Sequence, residues 1–199
     1  VNHANTNAVK EGVSWNTSFS TLQEALSCKC TDSLNNVIMP AEIWVAHGTY
    51  KTGKKVEDSF FLNNGQKVYG GFKSGDTQLI QRDSTLLTQQ TILSGKYETG
   101  KHAMHVVSSL FTYVNTELNS FIVQDGQSLS NANNGGHENN AGAGIYVRGQ
   151  ATLKNLLIRN NKADGHYDPS GFSPVTYWGG GIFVYRADGH GSHTFPIVE

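Results

Sequence analysis

The chain has little charge, and the two signs are balanced. Asp, Glu, Lys and Arg make up 16% of its 199 residues, and the formal net charge is -1 at pH 7. Proteins that bind nucleic acids or anionic membrane surfaces usually present a clear excess of Lys and Arg. The composition therefore predicts that neither nucleic acid nor a charged lipid surface is a partner.

Long apolar runs are also missing. No stretch approaches the roughly 20 apolar residues of a transmembrane helix, and residues 1–4 do not resemble the charged and apolar start of a signal peptide. We expect no membrane span in this segment. The first residue is not Met, and the pattern of residues 194–199 predicts the start of another strand, so we expect the chain to be a processed or excised piece of a longer protein.

Cysteine is scarce, since the chain has only Cys28 and Cys30. A disulfide between positions two apart would strain the preferred Cα separation, and a structural zinc site would need two further ligands. Ordinary, partly buried thiols are the favoured interpretation. A local disulfide or a reactive thiol remains an alternative, so the cysteines leave the redox compartment open.

Glycine is abundant instead, with 22 residues, and together with asparagine it separates short apolar runs. These turn formers tolerate positive φ, and short runs between them predict β-strands. The predicted strands are residues 42–46, 60–62, 67–69, 91–93, 104–107, 121–123, 145–147, 156–158 and 182–184.

Two segments recur at a common interval. Residues 118–125 (LNSFIVQD) return thirty-five positions later as 153–160 (LKNLLIRN), and 144–147 (GIYV) return thirty-seven positions later as 181–184 (GIFV). Strands that return at a fixed spacing are typical of stacked solenoid coils. We predict an all-β fold, a single-stranded parallel β-helix, right-handed for the steric reason that governs crossovers. An antiparallel sandwich is the alternative for this composition.

The predicted domain organisation has two parts, a polar lead-in over residues 1–17 and a β-helix domain over 18–199. The domain starts with a capping segment at 18–30. Its C-terminal end has no similar cap, so we expect further coils, another domain or another subunit to cover it.

The capping segment is predicted to contain a short amphipathic helix over about 20–28. Ser20 and Gln23 have the spacing of a capping box, and Leu22, Ala25 and Leu26 fall on one face. We expect this helix to cover the first coil, whose strand edges would otherwise be exposed.

Several segments together resemble right-handed parallel β-helix proteins of the pectate-lyase-like superfamily, nearest to large secreted or surface proteins of Bacteroidetes-type bacteria. They are residues 14–15 (SW), 22–26 (LQEAL), 42–50 (EIWVAHGTY), 68–72 (VYGGF), 82–83 (RD) and 91–95 (TILSG). Residues 158–161 (IRNN) and 179–182 (GGGI) are similar to the repeats of chlamydial polymorphic outer membrane proteins, which are adhesins. The resemblance spans about residues 14–185 and implies a right-handed β-helix in an extracellular or cell-surface protein.

The same superfamily includes polysaccharide lyases and glycoside hydrolases, so catalysis is an alternative. Hydrolysis needs two facing carboxylates, and a calcium-assisted lyase needs clustered acids with a basic residue nearby. The sequence has no Asp-Asp or Asp-x-Asp pair, and we predict no catalytic residue in it. An enzyme remains the alternative, with the chain as the N-terminal portion of one whose catalytic coils lie beyond Glu199.

A repeated Asp-Gly-His segment is the only candidate metal site. It occurs at 164–166 and 188–190, with Asp168 and His193 nearby, and Asp and His are ligands for zinc. The two copies follow different strands of the coil and should leave it at different corners. We interpret them as turns and predict neither a metal nor a cofactor.

The repeat also predicts which side chains face outward, because side chains alternate along a strand. If Ile145, Val147, Ile182 and Val184 point inward with Met104 and Val106, the opposite face is an outward ladder. Its predicted members are His105, Tyr146 and Phe183, with Val107, Arg148 and Tyr185 beside them.

We predict that this ladder binds a ligand, together with Tyr177 and Trp178 of the long loop at 165–180. Aromatic faces stack on sugar rings, and Arg donates hydrogen bonds to hydroxyl or carboxylate groups. The alternative is that the loop aromatics cover the ladder and form a small satellite core.

The sequence thus favours a non-catalytic, secreted or cell-surface module of a larger bacterial protein, used for adhesion, surface structure or glycan contact. We expect the partner to be a glycan or a protein on a host or neighbouring cell. The further alternative to an enzyme is a subunit of a surface fibre or layer, self-associating through its C-terminal end.

Overall fold

A computed structural model describes residues 1–31, 37–112, 115–128, 141–163 and 180–185. This part of the chain is mostly β-structure in parallel sheets, with one short α-helix, α1 (Leu22–Ser27), and a 3₁₀ turn at Leu79–Gln81. In chain order the strands are β1 (Cys30–Thr31), β2 (Val37–Ile38), β3 (Glu42–Ala46), β4 (Gly48–Lys51), β5 (Phe60–Leu62), β6 (Lys67–Phe72), β7 (Thr91–Ser94), β8 (Lys96–Glu98), β9 (Lys101–His102), β10 (Val107–Thr112), β11 (Glu117–Gln124), β12 (Gln127–Ser128), β13 (Ile145–Gly149), β14 (Thr152–Arg159), β15 (Lys162–Ala163) and β16 (Ile182–Tyr185).

The larger sheet has six parallel strands in the order β3-β6-β11-β7-β4, and β14 also pairs with β11. Strand β11 is central because its two halves pair with different strands. Asn119 pairs with Tyr69 of β6, whereas Ile122 pairs with Ile92 of β7. Residues 73–90 form an excursion that leaves the sheet between β6 and β7 and returns to it, whereas β11 runs past the same place without interruption.

The second sheet has four parallel strands in the order β16-β13-β10-β5. A small parallel pair joins β12 to β15, while β1 with β2 and β8 with β9 are short antiparallel pairs. Parallel pairing between strands far apart in sequence requires the chain to travel around and return in the same direction.

Both recurring sequence segments form adjacent parallel strands, as their spacing predicts. Leu118 pairs with Leu153 in the larger sheet, and Ile145 pairs with Ile182 in the second. The backbone also repeats, because Ser120 and Asn155 have φ values of 65° and 50°. Asp125 and Asn160, again thirty-five positions apart, have φ values of 63° and 55°. Left-handed residues therefore occur at equivalent positions within and directly after β11 and β14.

The hydrophobic core lies between the sheets and confirms the predicted inward column. Ile145 and Val147 are fully buried, and the half-buried Ile182 and Val184 pack against the same core. Other fully buried side chains are Phe60, Leu62, Leu93, Leu118, Phe121 and Leu153. Burial of this kind stabilises a fold by about 25 cal/mol per Å² of apolar surface.

The prediction for the strand that pairs with β13 on its other side, β10, was wrong in register. Val107, rather than Met104, pairs with Ile145, and β10 begins at Val107 instead of ending there. Val106 and Val107 are both fully buried, so the expected alternation does not hold. The reason is that Met104 lies at the corner before the strand, where its N–H donates to Val56 O at 2.7 Å.

Helix α1 is shorter than predicted, and its cap is displaced by one residue. Thr21 and Glu24 form the capping box, rather than Ser20 and Gln23. Leu22, Ala25 and Leu26 are buried, which confirms the predicted apolar face. The Gln23 amide donates instead to Lys51 O at 2.8 Å, so it connects the helix to β4.

The helix packs on β3 and β5, and each of these strands lies at one end of its sheet. Asn63 Nδ2 and Gln66 Nε2 donate to Leu26 O at 3.0 and 3.2 Å, which satisfies a helix-end carbonyl. Cys28 follows the helix and is half-buried. The side chain of Cys30 lies outside the described residues, so the interpretation of the cysteines stays a prediction.

Backbone and side-chain hydrogen bonds hold residues 1–17, the predicted polar lead-in, in place. Ala46 N donates to Val1 O and Asn2 N donates to Phe19 O, each at 2.9 Å. The asparagines that indicate a loop are used for local turns: the carboxamide oxygens of Asn2, Asn5 and Asn7 each accept from the backbone N–H two residues later. The segment is therefore fixed against the edge of β3.

Candidate functional site

A cavity of about 600 Å³ lies between the N-terminal segment, β3 and the start of the excursion after β6. We call it the tryptophan pocket. Its lining includes the apolar residues Val13, Trp15, Phe19, Ile43 and Trp44 and the acidic residues Glu11, Glu42 and Asp76. Binding sites for small molecules have volumes of this order and combine apolar walls with a few polar groups.

Strand β3 positions the first indole. Ile43 and Val45 point into the core, which places Trp44 on the outer face, where it is half-buried. Its ring stacks on Phe72, with centroids 4.5 Å apart and planes inclined by 8°. The indole N–H donates to the carboxylate of Glu42. The ring is thus held on one face and at its edge, and its remaining surface borders the pocket.

A tight loop positions the second indole. Glu11 N and Gly12 N both donate to Thr17 O, at 2.9 and 2.8 Å, and close the loop around Trp15. The Trp15 indole N–H donates to Asp76 O at 2.7 Å. Its ring is also tilted against Phe72, with centroids 6.0 Å apart. One fully buried phenylalanine therefore supports both tryptophans.

Glycine is required in this loop. Gly12 has φ of +76°, and a Cβ at that position would lie 2.6 Å from the ring of Phe19, which also lines the pocket. Both the left-handed backbone and the close approach exclude other residues without rearrangement.

The pocket is acidic in character. Three acidic residues line it, and the lining has no Lys, Arg or His side chain. The α-amino group of Val1 also lies at the lining, where it donates to Trp44 O, and burial lowers its pKa to about 5. Its hydrogen-bond donors are used within the protein: Ser18 Oγ donates to Trp15 O at 2.9 Å, and both indole N–H groups have acceptors. The site therefore offers aromatic faces and oxygen acceptors, which suit a sugar ring or a cationic group.

A polar network continues from Trp44 along the outer face of the sheet. Tyr69, its register partner, donates to Glu117 at 3.4 Å, and Asn119 Nδ2 donates to the same carboxylate at 2.8 Å. The Arg82 guanidinium lies 5.2 Å from the Tyr69 ring centroid and donates to Asn119 Oδ1 at 3.3 Å.

Burial, with added repulsion from the Glu117 and Glu42 charges, raises the pKa of Tyr69 to about 12. Burial likewise lowers the pKa of the Arg82 guanidinium. These side chains bond chiefly to one another, so the network fixes the wall beside the pocket rather than offering free ligand-binding groups.

The predicted ladder residues do meet. Tyr146 stacks on Phe183, with centroids 5.6 Å apart, and His105 lies 4.9 Å from Tyr146. His105 reaches Tyr146 from the corner before β10, because the register partner of Tyr146 in that strand is Ser108. Tyr146 is only 3% exposed, while His105 and Phe183 are half-buried.

The remaining predicted ligand-binding residues are only partly described. Arg148 is half-buried, and its register partner is Tyr185. The side chain of Tyr185, together with Tyr177 and Trp178, lies outside the described residues. That the ladder binds a ligand stays a prediction, and the burial of Tyr146 favours a packing role for that ring.

In the described ranges, no three His, Cys, Asp or Glu side chains cluster as metal ligands. The two Asp-Gly-His segments fall in residues that the structure does not describe. Nor does that part of the chain contain a helix with the length and apolarity needed to cross a bilayer.

No family model, curated protein or solved structure matches the chain. The resemblance to β-helix proteins therefore depends on the sequence segments named above and on the parallel sheets.

Sequence reasoning did not identify the tryptophan pocket. Trp15 and Trp44 both occur in the segments that carry the resemblance, and the alternation of β3 already places Glu42 and Trp44 on its outer face. The missing information is tertiary, because the pocket joins residues near 15, 44 and 76. The available signal in the sequence was that these segments contain two of the three tryptophans of the chain.

Proposed function

We propose that the chain is a right-handed parallel β-helix module of a secreted or cell-surface protein and that it binds a glycan in the tryptophan pocket without cleaving it. Adhesion or surface structure would be the role of the whole protein. The secreted location rests on the resemblance in sequence.

Continuous register supports the β-helix. The positions aligned in the larger sheet are Ile43, Val68, Leu118 and Leu153, all inward and buried. The positions aligned in the second sheet are Phe60, Val107, Ile145 and Ile182. Equivalent left-handed residues recur within and directly after β11 and β14. A chain that winds once per coil produces this pattern, whereas an antiparallel sandwich does not.

The tryptophan pocket carries the proposal of glycan binding. Its two indoles are half-buried and already held by Phe72, Glu42 and Asp76, so a ligand would order few side chains on binding. The apolar faces of sugar rings stack on such indoles, while sugar hydroxyls donate to carboxylate and carbonyl oxygens.

Glycan-array screening followed by tryptophan-fluorescence titration tests the proposal. Trp15→Ala and Trp44→Ala should each weaken binding at least about tenfold, the effect of losing about 1.4 kcal/mol. Trp178→Ala is the matched control, since Trp178 belongs to the predicted ladder region instead. We expect it to leave the affinity unchanged.

Three results would contradict the proposal. A loss of binding in Trp178→Ala alone would show that the ligand binds at the predicted ladder instead of the tryptophan pocket. Release of unsaturated or reducing sugars from a bound polysaccharide would show that the chain is an enzyme rather than a non-catalytic binding module. Absence of binding to any glycan would leave the third alternative, the surface fibre, for which concentration-dependent self-association is the measurement.

A further inference from the structure

We infer that the tryptophan pocket selects a sugar carrying a protonated amine, such as a glucosamine residue, over neutral sugars and uronates. This inference rests on the proposed glycan-binding function and names its ligand class. Charge, hydrogen-bonding capacity and aromatic content of the pocket each support it.

Charge complementarity is the first observation. Glu11 and Glu42 are exposed acidic residues at the lining, and Asp76 lies beside them. The α-amino group of Val1 also lines the pocket, but it donates to Trp44 O and burial lowers its pKa to about 5, so it adds little positive charge at pH 6. The nearest lysine in sequence, Lys10, does not line the pocket, and its ammonium group donates to Asn5 O at 2.8 Å. Arg82 is engaged with Asn119 and Tyr69 on the neighbouring surface. A uronate would therefore meet like charge, whereas an ammonium group would meet opposite charge.

The hydrogen-bonding capacity of the lining points the same way. The indole N–H groups donate to the Glu42 carboxylate and to the backbone carbonyl of Asp76. Ser18 Oγ donates to Trp15 O, and the α-amino group of Val1 donates to Trp44 O. Thr77 Oγ1 donates to Gln81 Oε1 at 3.4 Å. The carboxylates retain lone pairs, since each can accept several hydrogen bonds. The pocket thus offers more hydrogen-bond acceptors than donors. This suits an ammonium group, which has three N–H donors and no acceptor.

The aromatic walls add to this preference. A cation is attracted to the face of a tryptophan more strongly than to other rings. Phe72 covers one face of Trp44, which leaves the remaining indole surface at the pocket for the ligand. An N-acetyl group or a hydroxyl at the same sugar position lacks the charge that this attraction requires.

The test uses three β-1,4-linked oligomers of equal length that differ only at C2: glucosamine, N-acetylglucosamine and glucose. Titration of the intact chain at pH 6 should show the glucosamine oligomer binding at least about tenfold more tightly than the other two, the combined effect of one cation–π contact and one exposed ion pair. The advantage should shrink as salt is raised, because exposed charges are screened.

Charge-neutral variants locate the effect. Glu42→Gln and Glu11→Gln should each reduce the preference for glucosamine severalfold. Glu57→Gln, which removes an exposed acidic residue outside the pocket, should not. Circular dichroism and unfolding midpoints confirm that all three variants are folded.

Equal or tighter binding of the acetylated or neutral oligomer would overturn the inference while leaving glycan binding intact. A preference that survives both pocket variants would also overturn it. If oligolysine competes as effectively as the glucosamine oligomer, the ligand of the pocket is a basic protein rather than an amino sugar. Failure of all three oligomers and of the wider array would instead remove the proposed function itself.

Discussion

The indole of Trp44 lies flat on the ring of Phe72, with an interplanar angle of 8°, and this contact joins the core to the proposed binding surface. Phe72 is fully buried, so Phe72→Ala should destabilise the protein by about 3–5 kcal/mol. Phe72→Leu should retain much of that stability and still weaken glycan binding, because the flat support for both indoles is lost. Urea unfolding and fluorescence titration measure the two effects. Unchanged affinity in Phe72→Leu would show that the support is unimportant.

Gly12 and Gly65 form a matched pair for testing the pocket loop. Their φ values are +76° and +79°, but a Cβ at Gly12 would meet Phe19, whereas one at Gly65 would meet nothing within 4 Å. Gly65→Ala should therefore show the backbone cost alone, about 1 kcal/mol. Gly12→Ala should destabilise by more and should also reduce ligand affinity. Equal effects of the two variants on stability and binding would argue against a specific role for the Gly12 contact.

Asp83 fixes the turn at the end of the excursion from the larger sheet. Its carboxylate accepts from Thr85, from Thr88 N and Oγ1 at 2.7 and 2.8 Å, and from Gln89 N at 3.0 Å. These bonds, led by that from the Thr85 hydroxyl, hold the pKa of Asp83 far below its usual range. A lowered folded-state pKa stabilises the protein above the unfolded value of about 4, and this contribution is lost as the pH falls below it.

Asp83→Asn should therefore destabilise the protein by about 1 kcal/mol at pH 7 and by less at pH 3. Urea midpoints at the two pH values measure the difference between variant and parent. Thr88→Val, which removes a hydroxyl donor but keeps the backbone N–H, should give a smaller loss. A difference that does not change with pH would exclude the charged carboxylate as the cause.

The phenol of Tyr69 should lose its proton at an unusually high pH. Burial raises its pKa to about 12, and the charges of Glu117 and Glu42 contribute. Glu117→Gln should lower that pKa, which absorbance at 295 nm can follow. Tyr50, whose pKa burial also raises to about 12, serves as the internal reference and should not move. Because the neutral phenol is the favoured folded form, the associated stability is present below pH 10 and disappears as the pH approaches 12.

Tyr146 distinguishes packing from ligand binding in the predicted ladder. Its ring lies between those of His105 and Phe183 and is 3% exposed, so Tyr146→Ala should cost about 3 kcal/mol of stability. Phe61 occupies the same register column but is 39% exposed, and Phe61→Ala should cost far less. A stable Tyr146→Ala variant that had lost glycan binding would instead support the ladder as the site.

The strand pairings could be predicted from the sequence because each recurring segment lies in surroundings similar to those of its earlier copy. Leu118 and Leu153 face the same core from the adjacent strands β11 and β14, so their shared pattern indicated their contact. Alternation failed at Val106 and Val107, where the chain turns a corner and both side chains are buried. Hydrophobic spacing reports which face is buried, but it does not report where a short strand begins.

The pocket could not be predicted in the same way. Its indoles are brought together by Phe72 and by the hydrogen bond from Trp15 to Asp76, sixty-one positions away. No local pattern encodes such a distance. The asparagines near the start are ambiguous for a related reason. The same residue type is common in loose segments and in segments built from successive side-chain turns.

The excursion at 73–90 has a further consequence. Asn119 and Ile122 show that the sheet can run straight through this place, so the core does not need the extra residues. Yet these residues supply Asp76 and Arg82 to the surface around the tryptophan pocket. Exchange of residues 73–90 should therefore change the polar groups beside the pocket while the pairing of β11 and the strand that carries Trp44 stay as they are.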